Sequence, residues 1–191
     1  MIINALLFLL NTILGLFTLA VLLRFYLQLM NAPFQNPASQ AVIALTNFAV
    51  KPLRRIIPSW GGLDLTTLLL AFVAQLLLQL GMLWLRDFPL LVAADSVWVA
   101  VLGLTVIGVL KLSIYIFLYA VILQAILSWI SPYNLMTPVL DALTRPLLKP
   151  LRKRIPTAGG IDLSPLVIFI VAELLLIVVI APLEQQFLKL F

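Results

Sequence analysis

The chain contains neither cysteine nor histidine. Without cysteine there are no disulfides, thiolate nucleophiles or thiolate metal sites. Without histidine the commonest general base and the commonest metal ligand are missing. Charge is scarce as well. Asp, Glu, Lys and Arg make up 10% of 191 residues against 64% hydrophobic residues, and mean hydropathy is +1.20. A soluble domain of this length needs far more charge to cover its surface. Only a bilayer solvates such a chain cheaply, so composition points to an integral membrane protein. The opening MIINALLFLLNTILGLFTLAVLL lacks a basic leader, and its apolar run is too long for the core of a signal peptide. It reads as a retained transmembrane helix.

The net charge of +5 sits beside apolar segments. That arrangement favours anionic phospholipid over nucleic acid as a partner. The basic clusters also lack the interleaved aromatics of a single-strand reader, so no nucleic-acid partner is expected.

The phrase KPLRRIIPSWGGLDL, from Lys51 to Leu65, returns as KPLRKRIPTAGGIDL, from Lys149 to Leu163. A shift of 98 residues aligns the halves without a gap, bringing Asn36 onto Asn134 and Thr46 onto Thr144. Leucine matches carry little weight in so apolar a chain. Matches of Lys, Pro, Arg, paired Gly and Asp do, so the chain is a duplication. Each half has an apolar stretch (2–30, 97–130), a polar proline-containing segment (31–62, 131–160) and a second apolar stretch (63–85, 161–182). A span needs roughly 20 apolar residues. The expectation is an all-α membrane protein of two parallel tandem repeats, 1–95 and 96–191, packed as one membrane domain. Each repeat has two transmembrane helices joined by a basic, amphipathic, proline-containing cytoplasmic segment, giving four spans in all. Two spans per repeat return the chain to its starting side, unlike the inverted repeats of many transporters.

Eight of the twelve basic residues lie in the two polar segments: Lys51, Arg54, Arg55, Arg145, Lys149, Arg152, Lys153 and Arg154. The positive-inside rule puts these segments in the cytoplasm and both termini outward. Val42, Leu45, Ala49, Leu53 and Ile56 recur at helical spacing, as do Leu140, Leu143, Leu147, Leu151 and Ile155. These are expected to form helices lying in the interface, their cations free for lipid or an acidic protein partner. Pro52, Pro146 and Pro150 interrupt the pattern, so short helical pieces joined at the prolines are expected. Pro58 and Pro156 close the basic piece. Gly61–Gly62 and Gly159–Gly160 then permit a sharp turn into the next span. Thr66 or Ser164 would be its N-cap, with Asp64 and Asp162 placed where a helix dipole favours negative charge.

The stretch from Ser96 to Ile130 is too long for one perpendicular span, at about 50 Å as a helix. Either it tilts and projects outward, or 97–110 is an extra interfacial or re-entrant piece. Lys111 would snorkel to the outer headgroups, the alternative being a place in an ion pathway. Within the spans, Arg24 pairs with Glu173, or Arg24 snorkels and Glu173 is protonated beside Gln28 or Gln124.

NPASQ, then KPLRRIIP, then GG-x-D-L-[ST], repeated after about a hundred residues, resembles the YggT (YGGT repeat) family, as do LLRFYLQL and SWISP ahead of the two copies. The resemblance covers nearly the whole chain and matches the bacterial two-repeat type. Trp60, Ala158 and Thr67 depart from the family's pattern. The resemblance implies a bacterial inner-membrane protein associated with osmotic-stress tolerance and with envelope growth and division. It implies no catalytic residue, cofactor or metal. Lys51, Pro52, Arg54, Gly61, Gly62 and Asp64, with Lys149, Pro150, Arg152, Gly159, Gly160 and Asp162, are family-motif positions only. The functional expectation is a non-enzymatic scaffold or assembly factor, a homo-oligomer or a partner of other membrane or division proteins. The alternative is an ion or osmolyte transport protein, or a modulator of one, acting as an oligomer.

Overall fold

A computed structural model describes residues 1–57, 62–89, 94–131, 134–155 and 162–191. Among these the chain is helical throughout: α1 (Ile2–Leu29), α2 (Pro37–Leu53), α3 (Leu65–Leu85), α4 (Asp95–Ile130), α5 (Thr137–Arg152), α6 (Ser164–Leu174) and α7 (Ala181–Leu188). A π-helical turn, Leu175–Ile180, joins α6 to α7. Four helices are long and apolar enough to cross a membrane: α1, α3, α4 and the continuous Ser164–Leu188. The molecule is a multi-pass membrane protein built as two tandem repeats.

Helix ends follow from local chemistry. Asn31 takes φ 51°, the N–H of Ala32 bonds Leu27 O and that of Asn31 bonds Gln28 O. This Schellman arrangement stops α1. Asp87 does the same for α3, with φ 56° and Phe88 N–H on Leu83 O. Asn and Asp tolerate that left-handed conformation better than other side chains. Asn36 caps α2, its Oδ1 accepting the N–H of Ala38 (2.9 Å), and the aligned Asn134 makes the same bond to the N–H of Met136 (3.0 Å) just ahead of α5. Gly62, at φ 85°, supplies the turn before α3 that an L side chain would resist. Pro58, Gly61, Pro156, Gly159 and Gly160 lie outside the described residues.

The prolines do not break α2 or α5, contrary to expectation. Both helices run through Pro52, Pro146 and Pro150. All three prolines lie on the exposed side. The carbonyl each leaves without a helix partner therefore faces out of the bundle, where water or headgroups satisfy it. The faces turned toward the bundle coincide with the apolar stripes only in part. Ser39, Thr46 and Val50 are the buried residues of α2, while Leu45 and Ile56 are exposed. In α5, Val139, Leu140, Leu143, Thr144 and Leu148 are buried. A threonine sits in the middle of each buried face because its hydroxyl bonds the carbonyl four residues back: Thr46 to Val42 O and Thr144 to Leu140 O, both at 2.8 Å.

Nor is 97–110 a separate piece. α4 is one 36-residue helix, about 54 Å long at the usual rise. Val97, Ala100, Val101, Leu104 and Ile107 are buried in it, so this stretch belongs to the bundle. Glycines let its neighbours close in. A Cβ on Gly103 would lie 2.3 Å from the Phe187 ring, and one on Gly108 would lie 2.2 Å from Gln75 Nε2. Gly81 seats Leu10 at one depth and Ala71 packs with Val21 and Leu22 at another, so α1 and α3 run antiparallel. The π-helical turn falls just before Pro182; widening the helix there accommodates a ring that clashes with a regular preceding turn.

The repeats share their core. Leu27 and Ala32 from the first pack with Ala120, Val139, Leu140 and Leu143 of the second. In the half of the spans nearer α2 and α5, Val21, Leu22, Ala71 and Ile116 form a second buried cluster. The Phe88 and Phe191 rings meet at 5.7 Å, edge to face, where α3 and α7 finish. The bundle thus has a basic end, carrying α2 and α5, and a distal end, where both chain termini lie.

Candidate functional site

At the basic end, each repeat contains the same internal ion pair. Arg54 Nη2 pairs with Asp64 Oδ2, and Arg152 Nε with Asp162 Oδ2 at 2.7 Å. The pairs tie the end of each basic helix to the start of the span that follows. Their surroundings differ. The Asp64 side chain is 1% exposed and that of Arg54 42%, whereas Asp162 and Arg152 are 34% and 47% exposed. Asp162 Oδ1 accepts the N–H of Ser164 at 2.9 Å, capping α6. Burial opposes ionisation of Asp162, but the hydrogen bonds from Arg152 and Ser164 outweigh it and hold the carboxyl below its ordinary value. Asp64 has no such cap, and its Oδ1 is buried without a partner. The expected N-caps are thereby corrected. Thr66 lies inside α3 and bonds Ile57 O at 2.9 Å, Thr67 bonds the Asp64 carbonyl at 2.9 Å, and Ser164 is the first residue of α6.

Arg24 neither snorkels nor meets Glu173. It is 6% exposed, and its Nη1 donates to Thr46 Oγ1 at 2.8 Å and Asn47 Oδ1 at 3.1 Å. The basic helix α2 offers it acceptors within reach, which the span carrying Glu173 does not. Glu173 makes no ion pair among the described residues and is half-buried. Gln28 accepts from Arg54 Nη2 at 2.8 Å. The second repeat uses a different clamp at the aligned place: Thr144 Oγ1 bonds Gln124 Oε1, and Gln124 Nε2 reaches Asp141 Oδ1 at 3.4 Å. Each basic helix is therefore held to the first span of its own repeat through the repeated threonine.

Of the eight basic residues singled out, Arg54 and Arg152 are engaged within the chain. Lys51, Arg55, Arg145, Lys149, Lys153 and Arg154 are exposed and form no ion pair among the described residues. Arg145 and Lys149 stand one turn apart on α5. They line a groove of about 770 Å³ with Asn31 and Asp141, between α5 and the end of α1. Two cations, an amide and one carboxylate at a membrane face can hold an anionic group such as a phosphate.

At the distal end, Lys111 does not reach for headgroups alone. Its Nζ lies 2.8 Å from Glu184 Oε2 near the C-terminus. Seventy-three residues separate the two, and no local pattern pairs them. The Arg54–Asp64 link, by contrast, was readable: an Arg and an Asp ten residues apart recur in both copies. Among the described residues no group of three Asp or Glu side chains stands close enough to hold a metal ion.

A family model described as CCB3/YggT matches residues 3–85 and 103–183, one segment per repeat. An uncharacterized protein of Pseudomonas aeruginosa is 39% identical over 179 residues, covering 93% of this chain and 89% of the relative. An uncharacterized protein from the proC 3' region of Vibrio alginolyticus is 36% identical, covering 87% and 89%. The uncharacterized protein YggT of Escherichia coli strain K12 is 34% identical, covering 86% and 84%. No solved structure matches the chain.

Proposed function

The chain belongs to the CCB3/YggT family, and from that membership we propose that it is a non-enzymatic scaffold or assembly factor of the bacterial inner membrane. It presents α2 and α5 as amphipathic surfaces to anionic phospholipid and protein partners in the cytoplasm. Six cations left over after Arg54 and Arg152 have paired internally are the observation that carries this reading. At about 1 kcal/mol each against an anionic leaflet, they supply on the order of 6 kcal/mol of attraction. The threonine clamps and Arg–Asp pairs hold both helices against the spans, so the cations are displayed on a fixed frame. The charged groups Arg24 and Lys111 of the spans are held by polar partners, Arg24 by Thr46 of α2 and Lys111 by Glu184. That occupation favours a structural role over a catalytic one.

The test uses a photoreactive residue at the exposed Phe48 or Leu147 in intact cells. Discrete adducts with one or a few envelope proteins are expected. Replacing Arg145, Lys149, Lys153 and Arg154 with Gln should remove them, and should impair growth under osmotic stress. Glu173→Gln should leave both intact. Crosslinks to lipid and to the chain itself alone would sink the scaffold reading. A growth defect from Glu173→Gln with no defect from the Gln set would move the assignment to transport.

A further inference from the structure

At the distal end, away from the basic surface, a half-open cavity of about 750 Å³ lies among α1, α3, α4 and α7. Its polar lining is Asn11, Gln75, Gln79, Arg86, Lys111, Tyr115 and Glu184. Gln75, Gln79 and Arg86 follow one face of α3, at steps of four and seven residues, from mid-span to its last turn. The innermost of them, Gln75, is 6% exposed, and its Oε1 is buried with no hydrogen-bond partner. Such an atom is expensive to leave unmade in a low-dielectric interior. The absence of a side chain on Gly108 makes room for this amide against α4. Farther out, Lys111 and Glu184 pair at 2.8 Å while each side chain stays about one-third exposed, and Arg86 is exposed near the mouth. Nearer the basic end, α1, α3 and α4 contribute the buried apolar cluster of Val21, Leu22, Ala71 and Ile116.

We propose that this pocket binds a small zwitterion bearing a primary ammonium and an anionic group, which opens the Lys111–Glu184 pair and places one of its charges on each partner. The unpartnered Gln75 Oε1 accepts a hydrogen bond from the ligand's ammonium, as does Glu184. The ligand's anionic group is held by Lys111 and Arg86. A simple anion would leave Gln75 Oε1 without a donor, and a simple cation would meet Lys111 and Arg86. The same chemistry comes from two sources: an aminophospholipid headgroup reaching in from the leaflet, or a free amino acid from the aqueous side.

The chain has no cysteine, so a single Gln79→Cys variant reports on the pocket alone. Purified protein in phosphatidylcholine nanodiscs is labelled with a maleimide in the presence of sn-glycero-3-phosphoethanolamine or of 4-aminobutanoate. Saturable protection by at least one probe is expected. Protection by the first alone assigns the site to a lipid headgroup, and by the second alone to a free solute. Calorimetry with the protecting probe should show one site, weakened about tenfold or more in Gln75→Leu and in Glu184→Gln. If neither probe slows labelling, the proposal fails. It fails equally if both folded variants bind like the parent.

Discussion

The two Arg–Asp pairs are a matched experiment made by duplication. Arg54→Gln removes the charge facing Asp64, whose side chain is 1% exposed and whose second oxygen is already without a partner. Breaking a buried pair from one side costs about 3–5 kcal/mol because the remaining charge is stranded. Arg54 itself is 42% exposed and Arg24 stands within electrostatic reach of Asp64, so solvent and the second guanidinium lower the expected loss to about 2–3 kcal/mol. Arg152→Gln removes the same atoms from the same motif, but Asp162 is 34% exposed and keeps the Ser164 N–H. The loss there should be about 0–1 kcal/mol. Equilibrium unfolding in mixed micelles, followed by circular dichroism, separates these values. Adding Asp64→Asn to Arg54→Gln should recover much of the loss, since both charges are then gone. If Arg152→Gln costs as much as Arg54→Gln, or if the double variant is worse than the single, differential burial does not govern these pairs.

Thr46→Val removes a buried acceptor from Arg24 and should destabilise by about 1–3 kcal/mol; the same unfolding assay reads it. Gly103→Val drives a side chain into the Phe187 ring, at 2.3 Å from the added Cβ, and should cost about 1–3 kcal/mol unless α7 shifts. Lys111→Met leaves Glu184 without its partner at a half-exposed site, so the loss should stay near 1 kcal/mol. For Asp162, the folded carboxyl lies below its ordinary value, so its contribution is fully present above about pH 4 and fades as pH falls through the lower folded value. Stability of the parent minus that of Asp162→Asn, measured from pH 6 downward, should shrink across that range. A difference that grows on acidification would overturn the assignment.

Membrane placement, four spans and the duplication follow from sequence alone, because each rests on quantities that add along the chain. Apolar length is local, and a repeat of Lys, Pro, Arg, Gly and Asp survives any folding. The bonds of Asn36 to Ala38 N–H and of Asn134 to Met136 N–H are local too, since an Asx bond reaches only two residues. The Arg-to-Asp spacing of ten was also open to view in both copies. Continuity through Pro52, Pro146 and Pro150 was not, because a proline's penalty depends on whether the carbonyl it frees is buried, and only packing decides that. Which residues of α2 and α5 turn toward the bundle was not legible either: Leu140 and Leu143 are buried with Thr144, while in α2 Thr46 and Val50 are buried and Leu45 is exposed. The partners of Arg24 and Lys111 lie 22 and 73 residues away. Which helix faces meet at those depths is set by the shared packing of four spans, with Gly103 and Gly108 letting α4 come close. The tertiary structure therefore decided where each buried charge found its counterpart, while the sequence alone determined that such charges had to be placed in a bilayer.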